Sequence, residues 1–315
     1  MPKRKPGFNW QGVVGGDTSA TLWHDFYDID QLPQVKNPSC GYILNVNHTP
    51  FNCTCEEENP RMQDFDKEMA FMTRDNNRSI RFKQLLEKYG PRISYKEMKK
   101  IKFDTKFPEN TTFMDMIYEV QSLDTSKYPE IAPILKEFRK WNLKMTPENR
   151  QAAIFMMTAR YIFDKHDLRT LGFRKDLNFK KSTYRNALAH TQDHLRKHFG
   201  RLDVRYGQVL RLKRGDKEYP MGGFPDVMRS MMGQKQEDGT FKAWIGEDYM
   251  QLLRFTDDTV KTETVDAYGV SNDPESQHYT DQMPLFINKN FKDMTHNPDE
   301  VYRKAEEIYH PGEEH

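Results

Sequence analysis

The chain has 315 residues, with 48 Lys plus Arg against 47 Asp plus Glu and a net charge of +1. That balance excludes the basic footprint of a nucleic-acid binder, and no Arg/Lys stripe interleaved with aromatics runs along it. At 36% hydrophobic, 30% charged and 12% aromatic, the chain is apolar-poor for a globular domain yet too aromatic for a disordered one. Two readings fit: a globular protein with long polar loops, or part of a larger body whose core is shared with a partner.

The length suits one large domain or two. No stretch approaches the roughly 20 apolar residues that span a bilayer. The basic start at Lys3, Arg4 and Lys5 has no apolar segment behind it, so it is not a secretory signal. Taken alone, that favours the cytoplasm; for the downstream part of a longer precursor it carries no information.

Residues 1–60 are rich in Gly, Pro, Asn and aromatics. Val13-Val14, Thr21-Leu22-Trp23 and 42–46 read as short strands between turns, with Asn37-Pro38 a turn signal. From 78 the period becomes helical. Apolar Ile80, Phe82, Leu85 and Leu86 predict a helix over 78–88 that Gly90-Pro91 stops. Ser94 and Glu97 form a capping box for the next helix. Further helices are expected over 114–123 and 131–141. Thr146-Pro147 reads as the cap and first position of another, followed by 151–163, apolar around most of its circumference and so buried. A last helix is expected over 186–198. The period then returns to two over 204–212, 249–255 and 260–267. Asn297-Pro298-Asp299-Glu300 opens a closing helix to about Tyr309. Strands, a helical block, strands and a helix read as α+β. No repeat or low-complexity tract interrupts the order.

The three cysteines, Cys40, Cys53 and Cys55, lack the second pair that a zinc site needs. Either a disulfide crosses the short segment between Cys40 and the pair, as an oxidising compartment allows, or all are free thiols. Asn47, before the Thr49-Pro50 turn, can aim a neutral amide donor into a cleft, which suits an oxyanion, or can serve the turn through its own backbone. Arg78, in a predicted first helical turn, is either a solvated cation or an anchor for a substrate carboxylate or a catalytic Asn. His190, His194 and His198 share one helix face. With no further ligand nearby they read as a solvated basic helix rather than a metal site. Ser276, His278 and Asp281 lie too close in sequence for a catalytic triad and read as a packed polar loop. Asn47, Asn52, Asn77 and Asn110 begin glycosylation sequons, which matter only in a eukaryotic secretory host.

The order of the motifs is more informative than any one of them. Gly12-Val13-Val14-Gly15-Gly16-Asp17-Thr18, Leu32-Pro33-Gln34-Val35 and Asn37-Pro38-Ser39-Cys40-Gly41-Tyr42 resemble the β-subunit of penicillin acylases and their relatives, the acyl-homoserine-lactone and lipopeptide acylases. Asn45 through Pro50 is similar to that family's Asn-x-Asn-Asn-x-Pro segment. Tyr206-Gly207-Gln208, Arg211, Arg214-Gly215-Asp216, Pro220 and Gly222-Gly223 resemble its long strand pair. Tyr268-Gly269, Ser276, His278-Tyr279, Asp281-Gln282 and the closing Tyr309-His310-Pro311-Gly312 resemble its C-terminal signature.

The resemblance implies part of an N-terminal-nucleophile fold, a four-layer αββα sandwich. Its strands and C-terminal helix would come from 1–77 and 201–315, and a mainly helical block of the same domain would be inserted over 78–200. In that family a precursor cleaves itself to expose a Ser whose own α-amine is the base. By resemblance, Asn47 is the side-chain donor of the oxyanion hole and Arg78 supports it. Met1 is not such a nucleophile, so the nucleophile, the second donor and most of the acyl pocket are expected on a partner segment. The resemblance further implies a small-molecule acyl amide substrate (a β-lactam, an acyl-homoserine lactone or an acylated peptide) and a periplasmic or secreted location; no cofactor is assigned, but the family's structural calcium would have an acidic ligand in the stretch between Asn47 and Arg78 that could correspond to Glu58. The alternative is a non-catalytic remnant or binding module that retains the scaffold.

Overall fold

The computed structural model describes residues 1–10, 12–166, 177–310 and 312–313. Pro311 of the closing signature and residues 167–176 of the expected helical block lie outside them. The chain divides into two compact units.

The first unit takes Met1–Ser122, Ile162–Lys181 and the three residues Asp226–Met228. Among the described residues up to 76 there are short 3₁₀ turns and one isolated bridge, Pro2 to Phe26, in place of the strands expected at Val13-Val14, Thr21 to Trp23 and 42–46. Strand-like residues make a strand only when a neighbour pairs with them, and Val13 stands fully exposed. Three helices follow: α1 (Asn77–Tyr89), α2 (Tyr95–Lys102) and α3 (Thr112–Gln121). Each starts where a side chain satisfies the free amides of the first turn. Asn76 caps α1, Ser94 caps α2 in the expected reciprocal box with Glu97, and Thr111 caps α3. Gly90, at φ +76, ends α1 in a conformation that disfavours other residues. The buried stripe Phe82 and Leu85 of α1 packs with Leu44 and Ile101, and Met228 joins that cluster from far along the chain.

The second unit takes Leu123–Tyr161, Ser182–Pro225 and Arg229–His315. It contains α4 (Ala132–Phe138), most of α5 (Gln151–His166) and α6 (Lys181–Phe199). Ala152, Ala153, Ile154 and Phe155 of α5 are all fully buried, as an all-round apolar helix requires. Asn149, rather than Thr146, caps it, accepting the Ala152 amide at 2.8 Å. Phe155 stacks on Trp141 at 4.2 Å and meets Phe224 at 4.9 Å.

The alternating stretch 204–212 is a strand only in its second half. Tyr206–Val209 forms a helical turn, α7, before β1 (Leu210–Arg214). Then come β2 (Lys217–Pro220), β3 (Met231–Lys235), β4 (Phe241–Gly246), β5 (Met250–Phe255), β6 (Val260–Val265), the short α8 (Met283–Ile287), β7 (Lys292–Met294) and α9 (Pro298–Lys304). The closing helix stops five residues short of the expected Tyr309. The strands make a four-stranded sheet, β2-β1-β4-β3, and a three-stranded sheet, β5-β6-β7. Among the described residues only the β1–β4 pairing is parallel, Leu210 facing Phe241. The class is mixed α+β, as expected. No helix among the described residues is long and apolar enough to cross a membrane.

Candidate active site

Residues 40–55 form a pinned loop. A disulfide joins Cys40 to Cys55, with Cα atoms 6.0 Å apart, and Cys53 is a free thiol. Inside that bridge the Leu44 amide donates to Cys53 O at 2.7 Å and the Thr54 hydroxyl to Tyr42 O at 2.8 Å. His48 is buried beneath the tip. Its Nδ1 accepts the Val46 amide at 3.4 Å and its Nε2 lies 3.2 Å from Asn52 O, so the proton resides on Nε2.

Asn47 sits at the exposed tip with φ +56, a left-handed conformation that Asn tolerates better than most residues. The side chain that closes this turn is that of Asn45, whose Oδ1 accepts the Asn47 amide at 3.0 Å. The Asn47 side chain is thereby free of its own backbone.

It meets Arg78 instead. Both terminal guanidinium nitrogens lie 3.3 Å from Asn47 Oδ1. A guanidinium can only donate, so the carboxamide oxygen must face Arg78 and the Nδ2 group must face away. Among the described residues none accepts a hydrogen bond from that Nδ2. The two site residues inferred from the sequence, 31 positions apart, are therefore brought together.

Two residues not singled out in the sequence complete the arrangement. Asn76, the cap of α1, donates from Nδ2 to Val46 O at 2.8 Å and Asn47 O at 3.2 Å, tying the loop to the start of α1. Asp226 accepts the Asn77 amide at 3.0 Å and places Oδ1 3.5 Å from Arg78 Nε. At that distance and without hydrogen-bond alignment, the second contact is a charge contact. A carboxylate at this point opposes the positive end of the α1 dipole, where an Arg would otherwise be disfavoured. Burial pushes the Asp226 carboxyl above its usual range, against the pull of the Asn77 amide and Arg78. The dipeptide Pro225-Asp226 signals a turn, but nothing local links it to a helix 149 residues away.

The other candidates lie elsewhere. His194 is buried rather than solvated; its Nε2 donates to Gly239 O at 2.8 Å, and desolvation pushes its pKa down. His190 packs against Tyr161 and His198 against His194, and the three do not converge as metal ligands. The Ser276 hydroxyl accepts the His278 backbone amide, whereas the imidazole Nδ1 faces Asp281 at 2.8 Å, as a polar loop requires. Glu58 Oε2 is taken by the Ser39 amide and hydroxyl, both at 2.8 Å. Among the described residues its His, Cys or carboxylate neighbours at metal-ligand distance are Cys40 and Cys55, already joined to each other. A hard cation such as calcium takes six to eight oxygens, so these residues do not fit it.

The pinned loop thus presents the Asn47 amide group outward, with Arg78 of the capped helix against its carboxamide oxygen. The penicillin amidase family matches residues 1–303, and the chain belongs to that family. Among solved structures it is similar to the thermostable penicillin G acylase from Alcaligenes faecalis, with a TM-score of 0.50 and 13% identity. The match covers 98% of this chain and 63% of that one, which establishes a shared fold.

Proposed function

We propose that this chain forms part of an N-terminal-nucleophile amide hydrolase in which Asn47 Nδ2 donates to the oxyanion of the tetrahedral intermediate. The observation that carries this is the fork of Arg78 on Asn47 Oδ1, which turns the amide donor outward from the disulfide-closed loop. The nucleophile would come from another segment. A terminal Ser attacks the amide carbonyl, its own α-amine accepts the proton, and that amine titrates near ~7.7–8, suited to neutral pH. The substrates would be acyl amides of small molecules or peptides. The Cys40–Cys55 bridge supports an oxidising location, periplasmic or extracellular.

The test is to isolate the full chain from its host with whatever polypeptide accompanies it, and to assay hydrolysis of a panel of acyl p-nitroanilides. Turnover that falls by about 10²–10³ in Asn47→Ala supports the proposal. No hydrolysis by any such assembly favours a non-catalytic scaffold.

A further inference from the structure

Asp226–Met228 belongs to the first unit, while the residues on either side of it belong to the second. Each end of this short insertion has a partner. Met228 packs on the Leu44, Phe82, Leu85 and Ile101 cluster, and Asp226 meets the first turn of α1. Asp226 holds φ +69, which Asp and Asn tolerate better than most side chains, after Gly223 at φ +99 has turned the chain sharply.

We infer that Asp226 is a positioning residue for the oxyanion site: it fixes the Arg78 guanidinium, and through it the orientation of the Asn47 carboxamide. The inference rests on the role proposed for Asn47. Arg78 links the two side chains directly, because its Nε side faces Asp226 while its two terminal nitrogens face Asn47. A carboxylate 3.5 Å from Nε favours the Arg78 rotamers that keep the guanidinium between Asp226 and Asn47. Without the carboxylate, the Arg78 side chain regains its rotamers and Asn47 loses its single orientation.

Asp226→Asn is the cleanest probe. It tolerates the left-handed backbone and keeps an oxygen for the Asn77 amide, but it removes the charge that faces Arg78. Asp226→Gly provides a second variant whose backbone also suits the site. In the full-length labelled chain, side-chain couplings and ¹⁵N resonances of Asn47, identified by their absence in Asn47→Ala, report its orientation. The wild type is expected to show one rotamer and both Asp226 variants averaged values, with thermal stability retained. In the active assembly, kcat is expected to fall about 10- to 100-fold at unchanged KM, the scale of a misplaced catalytic group. An Asn47 that stays in one rotamer in a folded Asp226 variant overturns the inference. If Asn47 is disordered by the substitution but Asn47→Ala itself leaves turnover untouched, the oxyanion role fails and the link from Asp226 to Asn47 stands.

Discussion

Arg78 places both terminal nitrogens 3.3 Å from Asn47 Oδ1, and this fork decides which end of the Asn47 amide faces out. Lysine carries the same charge as a single point on a flexible stem and cannot reproduce the fork. Arg78→Lys is therefore expected to leave stability within about 1 kcal/mol, the scale of a partly exposed polar contact, while lowering turnover of the assembled enzyme at least tenfold. Paired melting curves and kcat measurements check this. Full turnover in Arg78→Lys would mean that charge, not geometry, is what the site needs.

The Cys40–Cys55 disulfide closes the loop that carries Asn47, across a sequence separation of 15. Cross-linking a loop of that size stabilises by about 3 kcal/mol in the chain-entropy picture. Reduction, or the Cys40→Ser/Cys55→Ser double variant, should lower the melting temperature by several degrees. Cys53→Ser, which replaces a free thiol, should not. Equal melting temperatures with and without reductant would contradict a bridge that holds this loop.

His194 supplies a pH dependence. Burial depresses its folded pKa below the ordinary value, and His198, Lys235 and His190 add like charge around it. A depressed His pKa means that the folded state binds the proton less readily than the unfolded chain. Its contribution is thus complete above the unfolded value near ~6.5 and is lost as pH falls through the folded value. Thermal unfolding of the wild type should weaken on acidification more steeply than that of His194→Gln, whose side chain does not titrate. Parallel curves for the two proteins would assign the acid sensitivity elsewhere.

The core of the second unit makes a further test. Phe155 is fully buried and stacked on Trp141, so Phe155→Ala should cost about 3–5 kcal/mol. Trp244 on β4 is 62% exposed, and its replacement by Ala should change stability by about 0.5 kcal/mol or less. Urea unfolding of both variants separates the cases.

Much of the helical structure was legible because its signals are local. Ser94 with Glu97, Gly90 after α1 and Asn297 before α9 act within one turn of the chain. The strand expectations over 1–60 failed because pairing partners are not local. At 204–212 the alternation misled: Tyr206 and Val209, three positions apart, are both buried and sit on a helical turn. Thr146-Pro147 carries a helix-start signal, but Asn149 offers the same capping chemistry nearer the first turn of α5. Asn47 and Arg78 were found through family resemblance, and the fork between them followed only from the fold. Asp226 was beyond reach, since its charge matters only where the folded chain returns it to α1.

The most direct test compares wild type, Asn47→Ala and Asn47→Asp in the assembled enzyme, with kcat and KM measured on an acyl amide that it hydrolyses. An oxyanion donor acts mainly in the transition state, so kcat should fall about 10²–10³-fold in Asn47→Ala with KM little changed. Asn47→Asp, which exchanges the donor for a carboxylate beside developing negative charge, should be no better. Turnover within about threefold of wild type in Asn47→Ala, far short of the loss of an oxyanion donor, would contradict the role assigned to Asn47.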